Sequence, residues 1–255
     1  MCLKVYSLVL SMKNDPKIQQ NEFGQMVGWP VEQYLVPHIT TQILQGQRLS
    51  LIPFSLAFLS QVKQDQLWHN IQTEPDGRCW TYLPYSGFDS AQDLQTQLTQ
   101  NFGFVETLHY FIEIPQGIAG WVALLNLRAT QGVVEIGNVY FSHVLRQSTA
   151  STEVIFLLLQ ACFKQGFRRV EWKCDDLNVP SKRAALRFGF QYEGTFRQDR
   201  IAKGRNRNTA WFSIVDEEWP ELEQAYISWL HPNNFEHDGQ QKNRLQNFIQ
   251  QDCAE

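Results

Sequence analysis

Residues 133–190 alternate between strand-like and helix-like patterns, and this alternation constrains the fold more than any other feature of the chain. Val133–Phe141 is rich in β-branched and aromatic residues, as is typical of a strand. A strongly apolar segment follows and predicts a helix that Gly166 ends, before a second strand in which polar and apolar residues alternate. Pro180 suits the first position of another helix, which Gly189 ends. The order predicts a right-handed crossover between parallel strands, with ligands bound at their carboxyl ends.

Between the first strand and its helix lies a polar loop with the composition of a phosphate-binding site. Free backbone N–H groups at a helix start, together with the helix dipole and hydroxyl donors, can hold a pyrophosphate. The arginine that begins the loop adds a positive charge. Serine and threonine before a helix are equally typical of ordinary N-caps, so the loop alone indicates either role. The loop consists of Arg146, Gln147, Ser148, Thr149, Ala150, Ser151 and Thr152.

Two motifs in this region have the order and spacing of a known family. The loop reads Arg146-x-x-Thr149-x-Ser151. The second strand leads to Asn178-x-x-Ser181, which opens a helix ending in Gly-Phe. Over roughly residues 47–219, the chain resembles the GNAT superfamily of acetyl-CoA-dependent N-acetyltransferases. Thr149 stands where the family has glycine, so a Cβ occupies the point at which backbone and phosphate approach most closely.

The resemblance implies a fold, a reaction and two substrates. The Thr152-Glu153 pair and the Asn-x-x-Ser motif are similar to the branch that acetylates the N-termini of ribosomal proteins. We therefore expect the α/β (α+β) fold of acyl-CoA N-acyltransferases, a mixed central sheet of about seven strands, flanked by helices and splayed at its central parallel pair. Acetyl-CoA would be the co-substrate, without a metal. The acceptor would be a primary amine of a small molecule or a peptide N-terminus.

In this family the amine attacks the acetyl thioester directly, and the resemblance assigns residues to each step. A backbone N–H freed at a bulge near the end of the central strand polarises the thioester carbonyl, and we expect this group to be the amide of Phe141. Glu135 is the expected base, directly or through water, because a strand period of two places it on the face of Gly137, Val139 and Phe141. His143 is the alternative base, and a structural role fits either residue equally well.

Ser181 is the expected donor to the departing thiolate. Many family members use a tyrosine seven residues after the motif asparagine, but that position is Ala185 here. The resemblance further implies that Asn178 binds the pantetheine or orients its loop, and that Arg187 meets a CoA phosphate. Simpler roles stay open, with Ser181 as a helix-start hydroxyl and Arg187 on a solvated helix face.

An aromatic segment at residues 80–85 precedes the CoA-binding half of the chain. It lies between a helix that we expect to begin at Ser55 and a second helix with a capping-box-like start at Ser90. In the family this part covers the acceptor side, which implies that Trp80, Tyr82 and Tyr85 line the substrate pocket. Packing in the core is the alternative role of these rings.

Composition limits the domain count and the class of partner. A chain of 255 residues, 43% of them apolar, favours one domain with extensions. We expect an N-terminal arm without regular structure (1–46), the acetyltransferase domain (47–230) and a polar tail (231–255). A formal charge of −4 gives no basis for binding nucleic acid, and no stretch reaches membrane-spanning length. A monomer and a homodimer are both compatible with the sequence.

The cysteines, the histidines and a basic hairpin turn give further expectations. The five cysteines and six histidines show neither C-x-x-C nor a metal-ligand spacing, which favours a reducing cytoplasm and no metal site. Lys203, Arg205 and Arg207 are expected at a solvated hairpin tip, with contact to an acidic partner as the alternative. A non-catalytic acyl-CoA-binding or interaction module is the alternative function, because Thr149 and Ala185 depart from the family pattern.

Overall fold

The computed structural model describes residues 17–31, 35–54, 60–102 and 107–251 of the chain, which divides into two compact units. The first unit, residues 1–35, contains an antiparallel hairpin of β1 (Ile18–Gln20) and β2 (Met26–Gly28). The Asn21 side chain accepts hydrogen bonds from the backbone N–H groups of Phe23 and Gln25, which closes the turn. The expectation that the N-terminal arm lacks regular structure is therefore wrong for this segment.

The second unit, residues 36–255, is built on a mixed eight-stranded sheet. Its strands lie in the order β3-β4-β5-β6-β7-β8-β10-β9, and neighbours are antiparallel except for the parallel pair β7–β8. This arrangement confirms the expected fold class, with one strand more than expected. The strands are β3 (Leu44–Gln45), β4 (Ser50–Pro53), β5 (Leu108–Ile114), β6 (Gly117–Arg128), β7 (Val133–Phe141), β8 (Arg169–Asp175), β9 (Gln191–Ala202) and β10 (Arg205–Val215).

Helices cover both faces of this sheet, and their ends follow local sequence signals. The side chains of Ser60, Ser148 and Asn178 each accept a hydrogen bond from a backbone N–H in the first helical turn. The expected helix start at Ser55 lies outside the described residues. No helix in the described ranges is long and apolar enough to cross a membrane. The helices are α1 (Gln61–Gln72), α2 (Ala91–Phe102), α3 (Thr149–Lys164), α4 (Val179–Arg187), α5 (Trp219–Leu230) and α6 (Leu245–Gln251).

The two faces of the sheet bury separate hydrophobic clusters. On one face α3, α4 and α5 cover the larger cluster, in which Leu158 and Tyr226 are fully buried. On the other face α1, α2 and the segment around Trp80 cover a smaller cluster that contains Trp121. Leu245, at the start of α6, belongs to the larger cluster with an exposed fraction of 1%. The segment after α5, expected as a polar tail, is thus held to the sheet because its apolar side chains are buried.

The central parallel pair opens part-way along its length. The paired register of β7 and β8 runs from Val133 and Arg169 to Ile136 and Trp172, whereas β7 itself continues to Phe141. Parallel strands that separate at their carboxyl ends leave backbone groups facing the gap between them. The starts of α3 and α4 follow the two strands at this same edge. The gap is the splayed centre that the sequence predicts.

A β-bulge in β7 moves the side chains that follow it to the opposite face of the sheet from the one that the alternation before it predicts. Its register with β6 shifts at Asn138, which has a φ of 47°, and asparagine tolerates this left-handed conformation. Before the bulge, Ile136 packs into the larger cluster; after it, Val139 and Phe141 pack there. The expectation that Glu135 shares a face with Val139 and Phe141 is therefore wrong, because the extra residue breaks the period of two.

Candidate active site

The backbone N–H of Phe141 points into the gap between β7 and β8. The next residue, Ser142, donates its backbone N–H to the Ala119 carbonyl at 3.0 Å, which continues the antiparallel ladder with β6. Alternate residues of such a strand turn their N–H groups to opposite sides, so the Phe141 N–H is directed toward β8. The pairing of β8 with β7 ends at Trp172, short of this level. The amide expected to polarise the carbonyl therefore faces the opening.

Gly120 on β6 sets the backbone geometry beside Phe141. A Cβ at this position would lie 2.1 Å from the carbonyl oxygen of Tyr140, and its φ of 151° also favours glycine. Real side chains do not tolerate such a contact with backbone, so any larger residue would push the two strands apart. The close approach of β6 thus keeps the end of β7 in register next to the gap.

Buried side chains hold the bulge of β7 in place. The Asn138 amide oxygen accepts a hydrogen bond from the Tyr85 hydroxyl at 2.8 Å, and its nitrogen lies 2.9 Å from Nε2 of His109. The His109 ring stacks on Phe102, with ring centroids 3.9 Å apart. Burial lowers the pKa of His109 to about 4, so its neutral ring accepts the hydrogen bond from Asn138. Tyr85, expected in the acceptor pocket, instead fixes the strand.

Glu135 lies on the opposite face of β7 from Phe141, and its two carboxylate oxygens differ in their surroundings. Oε2 accepts hydrogen bonds from Asn126 at 2.6 Å and from Lys173 at 2.8 Å. Oε1 lies beside Gly137, and within the described residues no hydrogen bond to it is found. Lys173 balances the buried negative charge. One oxygen of Glu135 is thus held by two donors, whereas the other is not held.

The start of α3 combines a local cap with free donors. Ser148 Oγ accepts the Ser151 N–H at 3.2 Å and donates to the Leu145 carbonyl at 2.6 Å. The Ser151 hydroxyl donates to the Ser148 carbonyl at 2.7 Å. These two hydroxyls therefore act locally, as in the N-cap alternative. The backbone N–H groups of Thr149 and Ala150 have no hydrogen-bond partner within the described residues, so they are the donors that this helix start offers.

Arg146 forms an ion pair with Glu74. The Glu74 side chain is 4% exposed, and it also accepts hydrogen bonds from the Tyr140 hydroxyl and the His143 backbone N–H, each at 3.0 Å. The expected phosphate ligand therefore compensates a buried carboxylate. No sequence motif marks Glu74, which follows α1 and lies 72 positions from Arg146.

Ser181 and Asn178 lie together at the start of α4. The Asn178 side-chain oxygen accepts the Ser181 backbone N–H at 3.2 Å, so Asn178 orients this loop as a helix cap. Ser181 Oγ accepts a hydrogen bond from the indole N–H of Trp172 at 3.0 Å. This bond occupies a lone pair and does not use the hydroxyl hydrogen, which has the Cys174 thiol as a neighbour. Ser181 belongs to the start of α4, which follows the carboxyl end of β8, the edge at which the gap opens.

Arg187 and the Thr-Glu pair connect α3 to its neighbours. The Arg187 guanidinium donates to Thr152 Oγ1 at 2.6 Å, and burial lowers the pKa of Arg187. Glu153 is 2% exposed and accepts hydrogen bonds from the backbone N–H groups of Gln47 and Arg48. A solvated helix-face position for Arg187 is therefore wrong, because the side chain lies between α3 and α4. Its contact with a CoA phosphate stays a prediction.

Most of the aromatic segment packs into the smaller cluster. Trp80 is 6% exposed and Tyr85 3%, and the Trp80 ring stacks on Tyr140 with centroids 4.7 Å apart. Lys203, in the turn between β9 and β10, donates to the backbone carbonyls of Trp80 at 2.7 Å and Tyr85 at 2.5 Å. Trp80 and Tyr85 thus have the packing role. Lys203 is exposed, as expected at a solvated tip, and its ammonium group also fastens the aromatic segment to the hairpin.

Tyr82 differs from its two aromatic neighbours. It is 39% exposed, and its hydroxyl donates to the Leu177 carbonyl at 3.2 Å. Leu177 lies between β8 and α4, in the loop that leads to Asn178. Tyr82 therefore joins the segment expected on the acceptor side to the loop expected on the CoA side. Of the three rings expected to line an acceptor pocket, it is the one with an accessible face.

Comparisons with known proteins agree with this geometry. The acetyltransferase (GNAT) family model matches residues 66–190. A GCN5-related N-acetyltransferase from Brucella melitensis is 37% identical to the chain, with a TM-score of 0.80 over 86% of this chain and 99% of its own. The chain belongs to the GNAT acetyltransferase family. Enzymes of this family use acetyl-CoA as the acetyl donor.

Two further GNAT structures extend the comparison. A GNAT-family acetyltransferase from Chromobacterium violaceum is 32% identical, with a TM-score of 0.69 over 76% of this chain and 96% of its own. A ribosomal-protein acetyltransferase solved in complex with coenzyme A is 16% identical, with a TM-score of 0.56 over 68% of this chain and 98% of its own. The second likeness supports the fold alone. A search of curated protein sequences gives no match.

Beside the start of α3, this GNAT chain has a pocket that its C-terminal segment helps to build. The pocket has a volume of about 500 Å³, and its walls include Thr149, Arg48, Phe235 and Lys242, together with the acidic Glu236. Arg48 and Lys242 bring positive charge near the free N–H groups of the helix start. The segment around Phe235 lies outside residues 66–190, so no family motif marks this wall.

Proposed function

We propose that this GNAT protein transfers the acetyl group of acetyl-CoA to a primary amine by direct attack within a ternary complex. The observation that best supports the proposal is the Phe141 N–H, which is directed into the gap between β7 and β8. A backbone donor held in a fixed direction stabilises the oxyanion that forms when an amine adds to a thioester carbonyl. The acceptor class is an amine of a small molecule or of a peptide N-terminus.

The CoA moiety would bind along the gap and at the helix start beyond it. Its pantetheine arm would pair with the open backbone of β7 as an added strand does. The pyrophosphate would accept hydrogen bonds from the N–H groups of Thr149 and Ala150, with positive charge from Arg48 and Lys242. Thr149, which stands where the family has glycine, is among the residues that line this pocket.

Two side chains would move the protons of the reaction. The amine nitrogen bonds to the carbonyl carbon, the carbon–sulfur bond breaks, and the amine loses one proton while the thiolate gains one. Glu135 would accept the amine proton through Oε1, directly or through water, while Lys173 holds the other oxygen. Ser181 would donate its hydroxyl hydrogen to the departing sulfur, because the Trp172 indole orients its oxygen.

A peptide N-terminus is the acceptor that the motifs favour. The Thr152-Glu153 pair and Ser181 are similar to the branch that acetylates ribosomal proteins. One structural neighbour is named as such an enzyme, although its low identity supports the fold alone. The exposed ring of Tyr82 would offer the incoming amine a cation–π contact of about 0.5–2 kcal/mol.

Two linked measurements test the proposed function. Calorimetric titration with acetyl-CoA should give saturable binding. Thiol release with a panel of small amines and peptides should be amine-dependent and yield an acetylated product in mass spectrometry. Binding without thiol release for every acceptor would favour a non-catalytic acyl-CoA-binding module, which Thr149 and Ala185 make the second candidate. Absence of acetyl-CoA binding would contradict both functions.

A further inference from the structure

Glu74 is a buried carboxylate outside every motif that the sequence offers. It follows the end of α1, and its side chain is 4% exposed. Oε1 accepts hydrogen bonds from the Tyr140 hydroxyl and from the His143 backbone N–H, and Oε2 accepts from Arg146. Burial, followed by the Glu74 charge, raises the pKa of Tyr140, which keeps that hydroxyl a donor. One side chain thus holds three residues at the end of β7 and in the following turn.

The residues that Glu74 holds stand on both sides of Phe141. Tyr140 precedes it and is fixed through its hydroxyl, while His143 lies two positions after it and is fixed through its backbone. Ser142 between them is tied to Ala119 of β6. Fixing the backbone on both sides of Phe141 also fixes the direction of its N–H.

We propose that Glu74 is a positioning residue that aims the Phe141 amide at the thioester carbonyl. This inference rests on the proposed acetyl transfer. A backbone donor contributes to catalysis only if it is already oriented where the oxyanion forms, so the groups that hold it matter as much as the donor. Both oxygens of Glu74 already accept hydrogen bonds, so Glu74 holds backbone and does not serve as the proton acceptor.

The same contacts give Arg146 a second role, in addition to the phosphate binding that its position in the loop implies. A buried carboxylate without a counter-charge is costly, and the Arg146 guanidinium supplies that charge. Arg146 therefore allows Glu74 to be buried beneath the turn that leads from β7 to α3. Loss of either partner should disturb the backbone around Phe141, although neither side chain needs to touch the acetyl group.

Glu74→Gln tests the inference in the full-length chain. The amide keeps the size of the side chain, but its nitrogen replaces one acceptor oxygen. At the position of Oε2 it would face Arg146, and at the position of Oε1 it would face the Tyr140 hydroxyl and the His143 N–H. We expect kcat to fall by about 10²-fold, the scale of a misplaced catalytic group, while the Kd of acetyl-CoA changes much less. Glu113→Gln, which removes the charge of a half-buried ion pair with Lys63, is the matched control and should leave kcat unchanged.

A spectroscopic readout separates positioning from a merely structural role. The infrared carbonyl band is measured for acetyl-CoA labelled with ¹³C at the carbonyl. Relative to the same labelled compound free in solution, the band should shift to lower frequency on binding to the parent protein, and it should shift less on binding to Glu74→Gln. If that variant does not fold, Tyr140→Phe removes a single donor and should give a smaller loss of kcat and of the band shift.

The outcomes distinguish this inference from the proposed function. An unchanged kcat and band shift in Glu74→Gln and Tyr140→Phe, or an effect confined to the Kd of acetyl-CoA, would overturn the positioning role alone. Absence of acetyl-CoA binding by the parent protein would overturn the proposed function, and the positioning role with it.

Discussion

His109 makes the stability of the folded protein depend on pH. Its neutral ring accepts a hydrogen bond from Asn138 at the bulge of β7, and burial lowers its pKa from 6.5 to about 4. Between these two values the unfolded chain binds a proton that the folded protein does not. The free energy of unfolding must therefore fall as the pH is lowered through this window, by up to about 3 kcal/mol.

His109→Gln isolates this effect. Glutamine keeps an acceptor oxygen for Asn138 but does not titrate. We expect the Tm of the parent protein to fall as the pH is lowered from 6.5 toward 4, and we expect a shallower fall in the variant. Thermal unfolding followed by circular dichroism at each pH measures both slopes. Equal slopes in the two proteins would contradict the assignment of a neutral, buried His109.

Ser181 is the second residue whose role a single substitution tests. Ser181→Ala removes the hydroxyl that the Trp172 indole orients beside the gap. We expect kcat to fall by about 10²-fold, the scale of a general acid, while acetyl-CoA affinity changes little. Steady-state kinetics and calorimetry together measure the split. Ser213→Ala on β10 is the control, because it removes a hydroxyl that donates to Glu193 on β9. A loss confined to affinity would make Ser181 a binding residue.

At the level of elements, local signals predict segments well and their packing poorly. The bounds of Val133–Phe141, the proline at the start of α4 and the glycine after it agree between sequence and structure, because each depends on a few adjacent residues. The bulge at Asn138 does not follow from local sequence. It depends on Tyr85 and His109, which lie 53 and 29 positions away, and it reverses the predicted face of Glu135.

Two substitutions in the aromatic segment separate its packing from its exposed face. Trp80→Ala should lower the free energy of unfolding by about 3–5 kcal/mol, because it empties the stack on Tyr140. Tyr82→Ala should leave stability nearly unchanged and raise the acceptor KM, because Tyr82 is 39% exposed. Chemical denaturation and steady-state kinetics check the pair. A normal acceptor KM in Tyr82→Ala would place the acceptor elsewhere.

At the scale of the whole molecule, the candidate site draws on distant parts of the chain. Glu74 meets Arg146 across 72 positions, Thr152 meets Arg187 across 35, and Lys203 meets Trp80 across 123. Sequence patterns act within a helix or strand, so they indicated the order of elements and the α3 start. The GNAT resemblance indicated Phe141 and Ser181, and neither source indicated the side chains that hold them.

The C-terminal segment belongs to this long-range assembly. Leu245 is 1% exposed within the larger cluster, and nearby residues form a wall of the pocket at the α3 start. Leu245→Ala should lower the free energy of unfolding by about 2–5 kcal/mol. Leu186→Ala, at a leucine that is 53% exposed, is the matched control and should have a small effect. Equal losses in urea denaturation would show that the segment contributes little to the core.

The central claim is tested most directly by initial velocities, measured while the concentrations of acetyl-CoA and of the best amine acceptor are both varied. Direct transfer requires both substrates to be bound together, because the Phe141 amide must polarise the carbonyl while the amine attacks it. We expect double-reciprocal plots in which the lines for different fixed amine concentrations intersect. Parallel lines would show that the acetyl group first moves to the protein, and CoA release that no amine accelerates would show that there is no transfer. Either result would contradict direct acetylation in the gap between β7 and β8.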